Sequence, residues 1–391
     1  MKLINLKQIK VFLKRRIIFT EIVGRMQNYF SPLGRKVMRF ITLISKVDSI
    51  QDYETFANLT KQMKNEKRVQ QERGYGPEAR LYGYYREMEC YARRKPYLFP
   101  LIPGLSHGVS FIAQINRWSL DNSISFGYMG PNMYTLTRKE TEVPIFVLGP
   151  YIHYARHYYD EEKRKNLKRE LGRVLLVFPN HSCEANETGV RQDERLLECI
   201  YSKYAKDFDT VMVCVYWHDI DAEILDEYRA RGAKIVSAGF RGDQNFVCRL
   251  KTIISLADLV VGDDIGTNIG FCYYMGKEFV LESNHPRFDN PNFIQAFWKF
   301  HEAFALSGKN FTEEQRKQQK ILYEQYWAGE KYLRTPEEMN AFLEAMQEVC
   351  VAAHFNMNRT LEAVHSLMET WKNKDDSKSR LKCQLLGEAL K

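Results

Sequence analysis

The sequence predicts an α/β protein whose second half is a doubly wound parallel sheet, and three observations carry that prediction. Between residues 174 and 282 short apolar runs alternate with helical patterns. The runs are continuously apolar, as strands are when helices cover both faces of a sheet. The loops between them are short, which suits strand, crossover helix and parallel strand in succession. With 391 residues the chain is long for one core, so two domains of roughly 150 to 200 residues each are expected.

Composition narrows the class. At 45% hydrophobic and 27% charged residues the chain is globular, with no collagen-like, disulfide-scaffold or disordered bias. No apolar run approaches the roughly 18 to 20 residues that cross a bilayer, and no signal peptide is visible, so a cytoplasmic protein is expected. The eight cysteines form no C-x-x-C pair and sit mostly inside apolar patterns, which argues for reduced, buried thiols rather than a zinc or disulfide framework.

Charge is concentrated at the start. Residues 1–46 hold eleven Lys or Arg against the single acid Glu21, a net of +10, which leaves about −2 for residues 47–391 out of a total of +8. On a helical wheel Val37, Phe40, Ile41, Leu43, Ile44 and Val47 share one face, with Arg35, Arg39 and Lys46 on another. This basic amphipathic helix, with the mixed apolar and basic run 2–19, suits an anionic membrane surface, where each Lys or Arg contributes roughly 1 kcal/mol. The other reading is helices that pack on the protein with solvated basic edges. No nucleic-acid module follows, so no nucleic-acid partner is expected.

The elements then follow in order. The polar stretch 48–73 suggests a helix and a flexible connection. Pro77 to Tyr91 has helical spacing behind a proline, and Tyr97 to Ile102 reads as a short strand. That strand enters Pro103 to Ser110, where His107 stands among small residues; a histidine there suits proton transfer near neutral pH, or is simply a hydrogen-bonded loop residue. Ser123 to Tyr128 and Val143 to Leu148 are further strands. His153 and His157 share a helical face at metal-ligand spacing, but no acid or cysteine is in phase, so packing is favoured over a metal. The charged run 160–170 is a crossing helix at the domain boundary.

In the second half, strands are expected at Val174 to Phe178, Thr210 to Tyr216, Lys234 to Ala238, Leu259 to Gly262 and Glu278 to Leu281. Helices are expected at Val190 to Ala205, Ala222 to Arg231, Asn245 to Leu256 and from Gly266-Thr267-Asn268 onward. Ligands of such a sheet sit at the carboxyl ends of its strands. His181, Ser182, Trp217, His218, Arg241, Asp263, Asp264, Thr267 and Asn268 all fall just after predicted strands. Singly each is ordinary turn or cap chemistry, but together they form one polar edge. A helix opening at Gly266 points backbone N–H groups and its positive dipole end at that edge, which suits a phosphate. Beyond Asn284 helices are expected at Asn292 to Leu306, Thr312 to Ala328 and Pro336 to Phe355, with Thr335-Pro336-Glu337-Glu338 a strong start. The polar end, Lys372 to Lys391, is expected to be frayed or weakly packed.

Over residues 100–282 the order of pieces resembles the two-Rossmann-domain (GT-B) glycosyltransferases, most of all the CDP-glycerol glycerophosphotransferases and related surface-polysaccharide transferases. Ser106-His107-Gly108-Val109 resembles that group's His-Gly loop in the acceptor domain. Val147-Leu148-Gly149-Pro150 resembles the strand leaving that domain, and Arg173 to Asn180 the strand that opens the donor domain. Val213 to His218 stands where the group has a strand ending in His, and Ala257 to Val280 resembles its strand, Asp, helix, Gly/Lys, strand signature. The chain departs from the group in having Ile265-Gly266-Thr267-Asn268 in place of two serines and Asp219 in place of a proline.

The resemblance implies two Rossmann-like doubly wound domains facing a cleft, with a basic helical N-terminus and a helical C-terminal tail. The implied divisions are 1–73, 74–165 (acceptor side), 166–310 (donor side) and 311–391. The implied function is transfer of a sugar or polyol phosphate from a nucleotide-activated donor to a lipid-linked or surface-glycan hydroxyl, metal-independent and without a cofactor, on the cytoplasmic face of the membrane. His107 would be the general base and His218 a phosphate or leaving-group contact. His181, Ser182, Arg241, Asp264, Gly266, Thr267 and Asn268 would line the donor site. The alternatives are a non-catalytic nucleotide- or glycan-binding protein of a membrane-associated polysaccharide complex, and a nucleotide-sugar 2-epimerase.

Overall fold

A computed structural model of the chain describes residues 39–64, 82–94, 104–112, 115, 120, 123–181, 194–354 and 357–390. Within these, eight strands form two parallel sheets. The first holds β1 (Gly104–Leu105), β2 (Phe126–Tyr128) and β3 (Ile145–Val147) in that order. The second holds β4 (Val174–Phe178), β5 (Thr210–Cys214), β6 (Lys234–Val236), β7 (Leu259–Gly262) and β8 (Phe279–Leu281) in the order β6-β5-β4-β7-β8.

The continuous apolar runs explain the second sheet. Alternate residues of each strand face opposite sides, and both sides are covered. Leu176, Met212, Val236, Val260 and Phe279 belong to one core, and Val177, Val213, Ile235, Val261 and Val280 to the other. Against the first core lie α4 (Glu161–Leu171), α7 (Phe246–Leu256) and α8 (Thr267–Tyr274); against the second lie α5 (Glu194–Cys199) and α6 (Ile224–Ala230). Beyond Cys199 helix α5 widens into a π-helical turn, Ile200–Tyr204. The strands β4 and β7 have the bounds expected from sequence, while β5, β6 and β8 are trimmed at their ends.

The two ends of the described chain cross over between the units. Helix α1 (Tyr53–Lys64) and the segment before it pack on the second sheet, with Ile44 and Phe56 fully buried in its core. Ser49 donates to the Ser237 carbonyl at 2.7 Å, just past β6. In the basic amphipathic stretch, Phe40, Ile41 and Val47 rest against this core, whereas Leu43 of the same face is exposed. Residues 1–38 lie outside the described residues.

The first sheet carries α3 (Pro131–Arg138) from its own region, and α2 (Tyr84–Tyr91) lies beside the turn after β3, Tyr84 meeting Tyr151 at 4.9 Å between ring centres. It is completed by the far end of the chain. After α9 (Pro291–Phe304) and α10 (Glu313–Tyr326), the backbone runs to α11 (Pro336–Ala352), whose Phe342 meets Phe146 of β3 at 4.6 Å between ring centres. The helix start expected at Thr335-Pro336-Glu337-Glu338 is present, with Pro336 in the first turn and a capping box formed between Thr335 and Glu338. Helices α12 (Thr360–Lys372) and α13 (Ser377–Leu390) follow.

The expectation of a frayed tail is overturned. Leu385, Leu386 and Ala389 of α13 are buried, and Lys382 donates to Glu348 at 2.6 Å and pairs with Glu344 at 3.2 Å. The polar composition there serves lysines that pair with acids on α11. The strand expected at Tyr97 to Ile102 and the start of the helix expected from Pro77 lie outside the described residues. Among the described residues no helix is long and apolar enough to cross a membrane.

Candidate functional site

Strand order in the second sheet reverses between β4 and β7, and at such a switch point the loops leaving the two strands diverge and open a crevice. β4 leads into Pro179, Asn180 and His181, and β7 into Asp263 and Asp264. Arg287, from the turn after β8, spans the two loops. It donates to Asn180 Oδ1 at 2.9 Å and to the His181 carbonyl at 2.6 Å, and it lies 3.6 Å from the Asp264 carboxylate.

The two aspartates differ. Asp263 is paired with Arg195 of α5, which also donates to the Glu282 carbonyl at 2.6 Å. Asp264 accepts the Ile265 N–H at 2.8 Å. Burial pushes its carboxyl up to about 6, against the opposing pull of the Ile265 N–H and Arg287. Neighbouring Glu282 goes the other way: burial is outweighed by hydrogen bonds from Tyr204 and Lys203, which hold its carboxyl below the usual range.

Helix α8 starts from Gly266 in extended conformation, and no side chain caps its first turn. The Thr267 hydroxyl accepts the Val109 N–H at 3.1 Å, so the His107 loop of the first sheet sits on the start of α8. Only glycine fits beside it, since a Cβ on Gly108 would lie 2.7 Å from Thr267 Oγ1. The loop is held from behind as well. Ser106 donates its N–H to Gly127 at 2.9 Å, and the Ser110 carbonyl accepts from Asn132 at 3.2 Å. His107 itself is exposed. Beside the loop opens a cavity of about 510 Å³ lined by Ser110, Phe111, Pro131, Asn132, Met133 and Tyr326, among others.

The other sequence-predicted residues spread along the same edge. His181 lies 4.6 Å from the Tyr216 ring, which links the β4 loop to the end of β5. His218 is half-buried past β5, its carbonyl accepting Lys64 Nζ at 2.6 Å. Arg241 follows β6, two strands and therefore about 10 Å from β4. Its carbonyl accepts the Tyr82 N–H at 2.6 Å. The structure thus groups His181, Asp264, Gly266, Thr267 and Asn268 with the His107 loop, and sets His218 and Arg241 toward the β6 side. Ser182 lies outside the described residues.

His153 is held by tyrosines, with Nδ1 2.6 Å from Tyr274 and Nε2 3.2 Å from Tyr91. His157 is driven down to about 4 by burial and then by Arg164 and Lys251.

Sequence reasoning missed Arg287, Arg195 and Asn180. Asn180 and Arg287 both follow strands, so the rule that found the other residues finds them once the loop after β8 is included. Arg195 is the second residue of α5 rather than a residue just after a strand, and carries no such signal. No protein-family model matches the chain, and no curated protein matches it.

Proposed function

We propose that the protein is a transferase of GT-B architecture that moves a sugar or polyol phosphate from a nucleotide-activated donor to a hydroxyl of a lipid-linked or surface glycan. The observation that carries this reading is the hydrogen bond from Val109 to Thr267. It joins the His107 loop of one parallel sheet to the phosphate-suited helix start of the other, at that sheet's switch point. Supporting it, the chain crosses back after Trp327 so that α11 covers the first sheet, as two facing domains require.

In this reading the donor's phosphates meet the first-turn N–H groups of α8 at Gly266, Thr267 and Asn268, with Arg287 and the His181 loop alongside. The dipole of α8 offsets charge that builds on the departing nucleotide. His107, exposed on the facing loop, takes the proton from the acceptor hydroxyl, and the cavity beside Phe111 and Tyr326 receives the acceptor.

Nucleotide release from a panel of nucleotide sugars and CDP-glycerol, read together with melting-temperature shifts, tests the proposal. Turnover with at least one donor is expected, and His107→Ala is expected to abolish transfer while preserving the donor-induced shift. Stabilisation without nucleotide release by the wild type would instead favour a non-catalytic binding protein. Neither release nor stabilisation by any donor would defeat the reading.

A further inference from the structure

Two arginine–carboxylate pairs lie close to the carboxyl edge of the second sheet, and they are built differently. Arg249 and Asp243 are in direct contact and fully buried, at 0% and 1% side-chain exposure. Arg287 and Asp264 are nearly as buried, at 8% and 12%, yet stand 3.6 Å apart, beyond ordinary hydrogen-bond length. A guanidinium serving only to neutralise a buried carboxylate closes on it, as Arg249 does. Arg287 also donates at short range to Asn180 and to the His181 carbonyl, contacts that fix its position across the crevice.

We infer that Arg287 is the anion receptor of this crevice: a phosphate of the ligand takes the guanidinium edge now turned to Asp264, and the Asp264 carboxyl takes up a proton from solvent. The inference rests on the donor-site reading above. It adds the residue that reads the phosphate and the proton that accompanies binding.

The surroundings of Asp264 support the exchange. Its neighbour Asp263 is neutralised by Arg195 of α5. Glu282, past β8, is engaged by Lys203 and Tyr204. His181 offers Arg287 its carbonyl and turns its ring to Tyr216. What favours the charged carboxylate is the Ile265 N–H and Arg287 itself, and burial, helped by the charge of neighbouring Asp263, already outweighs both, holding the group at about 6. Withdrawing Arg287 and bringing an anion near both push it further up. Asp264 is therefore mostly ionised in the free protein at neutral pH and protonated in the complex, so binding takes up about one proton and tightens as pH falls toward about 6.

Isothermal titration calorimetry with inorganic pyrophosphate, run near neutral pH in buffers of different ionisation enthalpy, counts that proton. Wild type is expected to take up about one proton more than Asp264→Asn, a comparison that cancels the titration of pyrophosphate itself. Asp264→Asn is expected to bind at least as tightly, because its uncharged amide competes weakly for Arg287. Arg287→Met is expected to weaken binding about tenfold or more, with partial recovery in Arg287→Lys. Equal proton uptake in wild type and Asp264→Asn, or undiminished affinity in Arg287→Met, overturns the inference and leaves the donor-site reading standing. Failure of the folded wild type to bind pyrophosphate defeats both. Asp264→Asn keeps Arg287 in place, so the proton count decides the matter even where Arg287→Met does not fold.

Discussion

Arg249 decides where the beginning of the described chain goes. Its guanidinium pairs with Asp243, donates to the carbonyls of Ser45 and Val47 at 2.9 and 2.8 Å, and sits 4.7 Å over the Tyr158 ring. Burying a charge costs several kcal/mol unless it is paired and hydrogen-bonded, and here both conditions are met. Removing one partner is therefore worse than removing both. Asp243→Ala is expected to destabilise the protein by about 3–5 kcal/mol in urea unfolding, because it leaves a buried guanidinium without its carboxylate. Adding Arg249→Met is expected to restore part of that loss, so the two effects are far from additive. Additive losses would show that the pair is not an electrostatic unit. Asp264 shows the opposite design: its arginine is held at a distance, and its carboxyl is left close to neutral pH.

Helix α8 is the element that the site depends on, and its position is set by a missing side chain. Gly270 faces Trp327 at the end of α10, and a Cβ there would lie 2.0 Å from the indole Cδ2. Trp327 is 1% exposed and packs against Phe300, Tyr323 and Phe111, so it has little room to yield. Alanine in a helix gains about 1 kcal/mol over glycine, but overpacking a rigid core costs about 1–3 kcal/mol or more. Gly270→Ala is thus expected to lower stability and to alter the near-ultraviolet circular dichroism of the tryptophans. A variant more stable than wild type would mean that Trp327 can move aside. The strand-helix alternation around α8 was legible because continuous apolar runs such as Leu259 to Gly262 admit few other folds. Helix α3 was not: its threonines and tyrosine give no apolar stripe, and only Met133 and Thr137 are buried. Helix α13 was hidden by its lysines, whose acidic partners lie 34 or more residues away on α11. The Val109–Thr267 contact joins positions 158 residues apart, so no local pattern announces it.

At the scale of the whole molecule, each end of the described chain is fastened to the unit distant from it in sequence. Residues 39–64 build on the second sheet, and α11 and α13 build on the first. The two sheets are therefore tied together by chain crossings as well as by the His107 loop. This separates two roles in the basic N-terminus. Nine of its eleven Lys and Arg fall within residues 1–38, whereas Ile44, Ser45, Val47 and Ser49 belong to the fold. A chain starting at residue 39 is expected to keep the melting temperature of the full protein and to lose sedimentation with phosphatidylserine vesicles, each removed cation accounting for roughly 1 kcal/mol near the surface. The full chain's binding is expected to weaken as salt is raised, since exposed charges are screened over about 8–10 Å at physiological ionic strength. A chain starting at residue 65 is expected to unfold or aggregate, because it strips Phe56 and Met63 from the second core and leaves Arg249 without two of its acceptors. Vesicle binding that persists in the shorter truncation would discard the lipid role for residues 1–38 while leaving the anchoring role of residues 39–64 intact.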